Sequence, residues 1–365
     1  MIFFLEEITH HMEQNLTIAP VLHNEELASL DNNNIRAITP KQYIIAATSD
    51  NTRRAYQSDI RHFIEWGGLL PTSAETIMHY LQQHAEQLNP RTLVRRLTAL
   101  KNWHLYQGFP DPTSHPMIRK TLSGIKHIHG KPKDKAKALT VETLIAMIDY
   151  LRASPRLIDY RNNALLQVGF FGAFRRSELV AICWEHIHFV PEGIEVMIPR
   201  SKTDQDGEGQ VCAIPYGDKN LCPVTALIAW RDKSFSAGFV FRSIGNNDHL
   251  KEEAIRPNQI NVIIKSIAKA CQLPEVNLYS SHSMRRGFAT EASKKGAPFG
   301  AIMRQGRWRH EGTVLGYIEE GKRFDSNAAD IILKHRDEKT SRTAEQIQKR
   351  EHEHSASTDP NERRS

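Results

Sequence analysis

The decisive stretch of this 365-residue chain reads Ser281-His282-Ser283-Met284-Arg285-Arg286-Gly287. It contains an H-x-x-R pattern at the start of a predicted helix. Taken alone the pattern is weak, because H-x-x-R occurs by chance in many proteins. Its meaning depends on the polar segments that precede and follow it along the chain.

Three further segments accompany this stretch in a fixed order. Two lie upstream: Gly172-Ala173-Phe174-Arg175-Arg176-Ser177-Glu178-Leu179, which enters a helix after an apolar run, and Ser201-Lys202-Thr203-Asp204, which lies at a predicted hairpin. One lies downstream: Gly306-Arg307-Trp308, with Tyr317 nine residues beyond the tryptophan. Each alone also has an ordinary interpretation: a surface cation, a solvated lysine, a packed tryptophan, a phenol at the edge of a core.

The composition is that of a soluble globular protein, with 40% hydrophobic and 25% charged residues. No apolar run approaches the roughly 18 residues of a membrane span, and the N-terminus lacks the basic region of a secretory signal. We therefore expect a cytoplasmic protein without a membrane partner. The net charge of +6 is compatible with a polyanionic partner but is only a mild signal.

The sequence predicts neither a metal nor a cofactor. The four cysteines are scattered without C-x-x-C spacing, which favours a reducing compartment. Among the eighteen histidines, the close pairs His186/His188 and His352/His354 fall in a turn-strand segment and a polar tail, and we interpret them as incidental surface residues. Phosphate-loop and H-E-x-x-H motifs are absent from the sequence.

An all-α domain is predicted over 41–129, after an N-terminal extension (1–40) without periodicity. The first helix begins among the N-cap residues Ser49–Thr52, presents an apolar face and ends at Gly67-Gly68. Thr72 and Glu75 form a capping-box pattern before the second helix. Asn89-Pro90 opens the third, which ends at Gly108, and a fourth spans about 116–128. The apolar faces consist of Tyr56, Ile60, Phe63 and Ile64 in the first helix and Leu93, Leu97 and Leu100 in the third.

A lysine-rich linker is predicted over 130–138 and a second domain over 139–336. Thr140 caps a helix that runs to Leu151, and an apolar helix covers about 158–171. Strand-like stretches at 194–198 and 211–214 enclose the polar turn with Lys202, which predicts a β-hairpin. From Pro223 onward helical patterns dominate. The charged tail, 337–365, is predicted to be disordered.

The ordered set of segments resembles the catalytic domain of tyrosine site-specific recombinases and integrases of the phage-integrase type. In that family Arg, Lys, His-x-x-Arg, His or Trp, and Tyr follow one another in this order. The corresponding residues here are Arg175, Lys202, His282, Arg285, Trp308 and Tyr317. Arg175 is preferred to Arg176 because it precedes Ser-Glu-Leu at the family's spacing, and Arg285 to Arg286 by the H-x-x-R count. Tryptophan in place of the second histidine is similar to the Cre branch.

Ser49–Tyr56 also resembles the family's core-binding domain, so that the likeness extends over roughly 45–335. It implies a mainly α protein: an all-α, SAM-like N-terminal core-binding domain and an α+β catalytic domain with a small antiparallel sheet, the DNA breaking-rejoining enzyme fold. Basic side chains on the outer helix faces and the linker would contact the DNA backbone. The candidates for these contacts are Arg53, Arg54, Arg91, Arg95, Arg96, Lys131 and Lys133.

The chemistry of strand cleavage agrees with these residue types. Attack on a phosphodiester builds negative charge on its non-bridging oxygens, and two guanidiniums, Arg175 and Arg285, can bind them with planar, permanently charged hydrogen bonds. The His282 imidazole can accept the phenol proton of Tyr317, and Lys202 can protonate the departing 5′ oxygen. A 3′-phosphotyrosine product stores the bond energy, so that the resemblance implies no ATP, metal or other cofactor.

Two supporting roles follow. Trp308 can donate only its indole N–H, so it would hydrogen-bond or buttress the phosphate. Glu178, one helical turn from Arg175, would orient the site through hydrogen bonds.

The implied partner is duplex DNA with an inverted-repeat recombination site, bound by a homotetramer on two duplexes. Ser326 could cap a short helix with Ala328, Ile331 and Ile332 on one face. The resemblance favours docking of this helix in trans on a neighbouring protomer; an intramolecular helix is the alternative.

Two other functions stay open. A type IB topoisomerase or telomere resolvase uses a similar residue set, but the N-terminal helical domain and modest length disfavour both. A relative that binds DNA without catalysis is disfavoured because all six catalytic positions are occupied. The sequence does not distinguish integration, excision and dimer resolution.

Overall fold

The computed structural model describes residues 47–132, 135–199, 209–218, 220–235 and 237–321, together with 329, 332 and 333. The chain divides between Lys133 and Asp134 into two compact units. This boundary lies inside the predicted linker. The predicted extension (1–40) and tail (337–365) lie outside the described residues, as do Lys133 and Lys202.

The described part of the first unit is all-α, as predicted. Its helices are α1 (Asp50–Glu65), α2 (Ala74–His84), α3 (Pro90–Tyr106) and α4 (Pro116–His129), with a 3₁₀ turn at Pro112–Ser114. Ser49 and Asn89 cap α1 and α3 through their side-chain oxygens, which confirms both predicted starts. The predicted cap of α2 was one residue early: the Ser73 hydroxyl accepts from the Thr76 N–H, and Thr72 precedes it.

The core of the first unit forms where the apolar faces of these helices meet. Ile60 and Phe63 of α1 and Leu93, Leu97 and Leu100 of α3 are buried, as the helical periodicity predicts. The predicted position of Arg96 on an outer face was wrong, because this side chain lies at the edge of the core.

Arg96 is 9% exposed and donates to the Tyr80 hydroxyl (2.7 Å) and to His62 Nδ1 (2.8 Å). It lies three residues after Leu93 and therefore at the border of the buried face of α3. Asp59, itself buried, lies 3.6 Å from Arg96 Nε and also binds Arg95 through two hydrogen bonds. A guanidinium beside a buried carboxylate can be stable inside the core, which an apolar-face pattern does not reveal.

The second unit combines helices with two small antiparallel sheets, in agreement with the predicted fold class. Its helices are α5 (Val141–Arg152), α6 (Leu157–Phe171), α7 (Arg176–Val180), α8 (Pro223–Ser234), α9 (Pro257–Ala270), α10 (Ser281–Lys294), α11 (Phe299–Gly306) and α12 (Glu311–Gly321). Its strands are β1 (Ile187–Val190), β2 (Gly193–Ile198), β3 (Gln210–Pro215), β4 (Arg242–Ile244) and β5 (Leu250–Ala254). Thr140 caps α5, as predicted.

The predicted hairpin is the β2–β3 pair of a three-stranded sheet with order β1-β2-β3. Ile194 faces Ile214 and Val196 faces Cys212, and these four side chains are buried because alternate residues of a strand share a face. β1 lies in the turn-strand segment that was predicted around His186/His188. After Pro223 helical patterns were predicted to dominate and no strand was named, whereas β4 and β5 form a second sheet there. β5 reads Leu-Lys-Glu-Glu-Ala, which has no apolar alternation to indicate a strand.

α6 is the central helix of the second unit. It packs against α5, α8 and α10 and is buried on nearly every side, and its buried residues include the polar Asp159, Arg161, Asn162 and Gln167. Its C-terminal end delivers the chain directly to Gly172 and Arg175, so the rigid core of the unit fixes the position of this predicted catalytic arginine.

The second half of the predicted linker is bound to the second unit. The N–H of Lys137 donates to Leu278 O and that of Leu139 to Ser283 O, both at 3.0 Å. Among the described residues, no helix combines the length and apolar character that a bilayer crossing requires. Of the predicted C-terminal helix, Ser326, Ala328 and Ile331 lie outside the described residues, whereas Ile332 and its neighbour are helical and exposed.

Candidate active site

The first part of the site is the turn between α6 and α7. Ala173 has a positive φ (44°), and Arg175 occupies the N-cap of α7. The side chain of Glu178 binds Arg175 at this cap. Its Oε2 accepts from the Arg175 backbone N–H (2.9 Å) and its Oε1 from Arg175 Nη1 (2.5 Å). One buried carboxylate thus satisfies the helix start and orients the guanidinium. Arg176 is exposed.

The second part is the first turn of α10. Ser280 and Ser283 cap its start, with the Ser280 N–H donating to Ser283 Oγ (3.0 Å). His282 is exposed, and Arg285, one turn later on the same side, is buried. Arg285 Nη1 donates to the Ala173 carbonyl and Nη2 to the Gly306 carbonyl. This guanidinium therefore joins the α6–α7 turn to the end of α11.

The third part is the segment Gly306–Trp308. α11 ends at Gly306, and Arg307 adopts a left-handed conformation (φ 53°) that redirects the chain. The Trp308 ring then lies under Arg285, whose Cζ is 4.2 Å from the ring centroid. A Cβ at Gly306 would lie 1.7 Å from the Trp308 ring, so that only glycine allows the ring this position.

Tyr317 lies on α12 with its side chain half-buried. Its ring centroid is 6.4 Å from that of Trp308 and 5.7 Å from the Cζ of Arg286. Thr290 Oγ1 of α10 donates to the Tyr317 carbonyl at 3.1 Å. The backbone of α12 at Tyr317 is thus bound to α10, the helix that carries Arg285.

The electrostatics of the site favour an anionic ligand. Burial lowers the pKa of Arg285 to about 9, and the positive charge of Arg175 adds to this effect. For Glu178, burial would raise the pKa, but the charge of Arg307 and the Arg175 N–H and guanidinium outweigh it and hold the pKa below its usual value. An ionised glutamate is therefore surrounded by more positive charge than it can neutralise.

The structure brings together five of the seven residues predicted for catalysis and its support. These five are Arg175, Glu178, Arg285, Trp308 and Tyr317. His282 lies one turn before Arg285, and Lys202 lies outside the described residues, in the connection between β2 and β3. In the parts of the chain that the structure describes, no three histidine, cysteine, aspartate or glutamate side chains are grouped as metal ligands.

Sequence reasoning missed two residues that hold the site together. No role was predicted for Arg307, the neighbour of Trp308, yet its side chain donates to Glu178 Oε2 at 3.2 Å. Gln305 Nε2 donates to Phe171 O and Ala213 O, both at 2.9 Å, and so links α11 to β3. No sequence pattern marks these contacts, because they depend on a non-glycine residue adopting a left-handed conformation.

The basic residues predicted on the first unit differ in availability. Arg54, Arg91 and Lys131 are exposed. Arg91 and Lys131, with Lys126, line an open cavity of about 460 Å³ beside the N-terminus of α3. Arg53 instead donates to Asp50 and to the Thr48 carbonyl. Arg95 is half-exposed and bound to Asp59.

Comparisons with known proteins agree with this geometry. Residues 137–323 match the model of the phage integrase family. An integrase/recombinase XerD homologue from Selenomonas ruminantium is 35% identical over 311 residues, which cover 82% of this chain and 91% of the relative.

Two solved structures share the fold. A XerH site-specific recombinase in a post-cleavage complex with its difH substrate aligns with a TM-score of 0.57 and 15% identity, over 76% of this chain and 79% of the other. The integrase of transposon Tn1549, in complex with transposon right-end DNA, aligns with a TM-score of 0.54 and 14% identity, over 75% and 91%. These likenesses confirm the predicted fold class.

Proposed function

Because the chain belongs to the phage integrase family and is a tyrosine recombinase, we propose that Tyr317 is its nucleophile and that Arg175 and Arg285 bind the scissile phosphate. A tyrosine recombinase cleaves and rejoins DNA strands through a covalent link to a tyrosine. The observation that carries the assignment is the convergence at Arg285: this buried cation contacts the turn that carries Arg175 and stacks on Trp308, which in turn lies beside Tyr317.

The reaction follows from these positions. The Tyr317 oxygen attacks the phosphorus, a P–O bond to tyrosine forms, and the bond to the 5′ oxygen breaks, which leaves a 3′-phosphotyrosine and a free 5′ hydroxyl. The imidazole of His282 accepts the phenol proton, and Lys202 supplies a proton to the departing oxygen. Rejoining is the same sequence in reverse, with a 5′ hydroxyl as the nucleophile.

The two arginines lower the barrier by meeting the charge that develops on the non-bridging oxygens. Water is largely excluded from Arg285, so its attraction for a phosphate is stronger than that of a surface arginine. Glu178 holds Arg175 in place. Trp308 supports Arg285 with its ring and can donate its indole N–H to the phosphate.

We further propose that duplex DNA with inverted repeats contacts the exposed cations of the first unit. Arg54, Arg91 and Lys131 are the best supported because their charges are accessible, and the cavity beside the N-terminus of α3 combines two of them with a helix end that favours anions. Arg53 and Arg95 can contribute only beside their bound carboxylates. Lys133 stays a candidate on its sequence position alone, and Arg96 is excluded because it is buried.

The working form we propose is a cytoplasmic homotetramer on two duplexes, with the segment after α12 docked in trans. Ile332 and Leu333 support this docking, since both are helical and more than 60% exposed (71% and 62%). Exposed neighbouring apolar side chains on a helix favour burial against a partner surface. If the helix instead folds back within one protomer, Ile332→Glu will lower the stability of monomeric protein and not the assembly on DNA.

The test is trapping of the covalent intermediate. A site is first selected from a random duplex library by binding, and nicked suicide versions of it are incubated with the protein. We expect an adduct with the wild type and none with Tyr317→Phe. No adduct with the wild type, or an equal amount with Tyr317→Phe, would exclude the proposed nucleophile. Recombinant joints between two such sites, as opposed to relaxed or hairpin-ended DNA, distinguish a recombinase from a topoisomerase or telomere resolvase.

A further inference from the structure

Arg307 is an unusual residue at the end of α11. It is 8% exposed, and it adopts a left-handed backbone conformation (φ 53°) that residues other than glycine rarely adopt. Such a conformation persists only where the surroundings impose it, and it is found preferentially at functional sites. Both its side chain and its backbone contact the residues around the proposed phosphate site.

The side chain of Arg307 anchors its own segment to the α6–α7 turn. Nη2 donates to Glu178 Oε2 (3.2 Å) and to the Gly172 carbonyl (3.1 Å), and Nη1 donates to the Gln305 carbonyl (2.8 Å). Its Cζ lies 4.7 Å from the centroid of the Phe174 ring. Both terminal nitrogens of this guanidinium are therefore engaged in protein contacts, and its Nε is buried without a hydrogen-bond partner among the described residues.

The backbone on either side of that anchor directs the two phosphate-binding arginines. The Gly306 carbonyl accepts from Arg285 Nη2, and the Arg307 carbonyl accepts from Arg175 Nη2 at 3.5 Å. Trp308, the next residue, supports Arg285 from below. The conformation of three consecutive residues thus sets the orientation of both guanidiniums.

The positive charge of Arg307 also affects the net charge of the proposed phosphate site. Glu178 is shared between Arg175 and Arg307, so that three guanidiniums, including Arg285, surround one carboxylate with a formal charge of +2. The phosphodiester carries one negative charge, and attack by a phenolate adds a second. If Arg307 were absent, Glu178 would neutralise Arg175 alone, and the cluster would fall to +1 in a site where burial makes charge differences large.

We propose that Arg307 is a positioning residue for strand cleavage, which shares Glu178 with Arg175 and holds the segment Gly306–Trp308 in the conformation that orients Arg175 and Arg285. This inference rests on the proposed function. It makes a prediction that a purely structural role does not make: removal of the Glu178 charge should partly repair the loss of Arg307, because the cluster then returns to +2.

The experiment compares full-length variants on the nicked suicide substrate, with the single-turnover cleavage rate and the DNA dissociation constant measured in parallel. Arg307→Met should cleave about 100-fold more slowly than the wild type with DNA affinity little changed. The double variant Glu178→Gln/Arg307→Met should cleave about 10-fold faster than Arg307→Met. The matched control is Arg309→Met, which removes an exposed cation two residues away and should cleave like the wild type.

Arg307→Gly separates the backbone from the charge, because glycine accepts the left-handed conformation without strain. We expect it to remain as slow as Arg307→Met. If Arg307→Met fails to fold, Arg307→Gly can replace it in the test. Addition of Glu178→Gln should raise the cleavage rate of Arg307→Gly in the same way.

Three results would overturn the inference: wild-type cleavage by Arg307→Met, wild-type cleavage by Arg307→Gly, or a double variant that cleaves no faster than its Arg307 parent. The proposed function fails differently. In that case the wild type itself forms no Tyr317-dependent adduct. A Tyr317-dependent adduct whose formation rate is insensitive to Arg307 rejects the inference alone.

Discussion

The guanidinium of Arg285 stacks on the ring of Trp308, with its Cζ 4.2 Å from the ring centroid. The two terminal nitrogens of the same guanidinium donate to the carbonyls of Ala173 and Gly306. A planar cation held on an aromatic face and by two carbonyls has little rotational freedom, as its proposed role in binding the phosphate requires.

The two possible contributions of Trp308 can be separated by substitution. Trp308→Phe keeps an aromatic face under Arg285 and removes the indole N–H, whereas Trp308→Ala removes both. If support of Arg285 dominates, Trp308→Phe should retain most of the cleavage rate and Trp308→Ala should lose about 100-fold. Single-turnover cleavage measures both. Equal losses in the two variants would show that the N–H, and not the ring face, carries the contribution.

Arg175 should be required for cleavage and nearly dispensable for binding. Arg175→Ala removes one of the two guanidiniums that we propose bind the phosphate, so we expect the cleavage rate to fall about 100-fold to 1,000-fold. The affinity for DNA should change little, because many other phosphate contacts remain. The matched control is Arg176→Ala, since Arg176 is adjacent and exposed. Unchanged cleavage by Arg175→Ala, or a loss in the control instead, would mean that the wrong arginine is assigned.

Local sequence signals predicted much of this fold because their causes are local. Ser49, Asn89 and Thr140 cap their helices as expected, since a cap needs only its own side chain and the following two or three N–H groups. The β2–β3 hairpin followed from strand patterns around a polar turn. The order of motifs along the chain predicted that Arg175, Arg285 and Tyr317 share one site, which composition alone could not indicate.

The features that the sequence did not predict depend on residues that are distant in the sequence. Arg96 is buried because Asp59, on a different helix, supplies a countercharge. The β4–β5 sheet forms from strands of three and five residues, too short for a clear alternation. Arg307 depends on Glu178 and Gly172 at a distance in sequence. In each case the decisive partner is fixed only when the tertiary structure forms.

His62 should make the first unit sensitive to acid. Burial, Arg96 and His84 hold the pKa of His62 below its ordinary value of about 6.5, against the opposing carboxylates Asp59 and Glu65. The imidazole stays neutral in the folded unit but is protonated in the unfolded chain below about pH 6.5. Stability is therefore fully present above that pH and is lost as the pH falls towards the folded pKa.

Hydrogen exchange of α1 and α2 at about pH 7.5 and about pH 5.5, corrected for intrinsic rates, measures this loss. We expect wild-type protection to fall at the lower pH and His62→Gln to remove much of the difference. His127→Gln, which changes an exposed histidine on α4, is the control and should behave like the wild type. An identical loss of protection in wild type and His62→Gln would contradict the role of His62.

Gly287 should be indispensable for the packing of α10. A Cβ at this position would lie 1.9 Å from the Leu139 carbonyl oxygen, a backbone atom that cannot rotate away. Gly287→Ala should therefore destabilise the protein by about 1–3 kcal/mol. Gly124→Ala is the matched control, because a methyl group added at this exposed position of α4 would meet nothing within 4 Å, and it should stabilise by about 0.5–1 kcal/mol. Calorimetric unfolding midpoints test both. A neutral Gly287→Ala would show that Leu139 can move.

The most direct test of the assigned chemistry is identification of the residue that carries DNA in the trapped adduct. Trypsin releases residues 310–322 as one peptide, in which Tyr317 is the only tyrosine. After nuclease digestion, mass spectrometry should find a nucleotide joined through its 3′ phosphate to Tyr317. A nucleotide on any other residue, or attachment through a 5′ phosphate, would contradict the assignment of Tyr317 as the nucleophile.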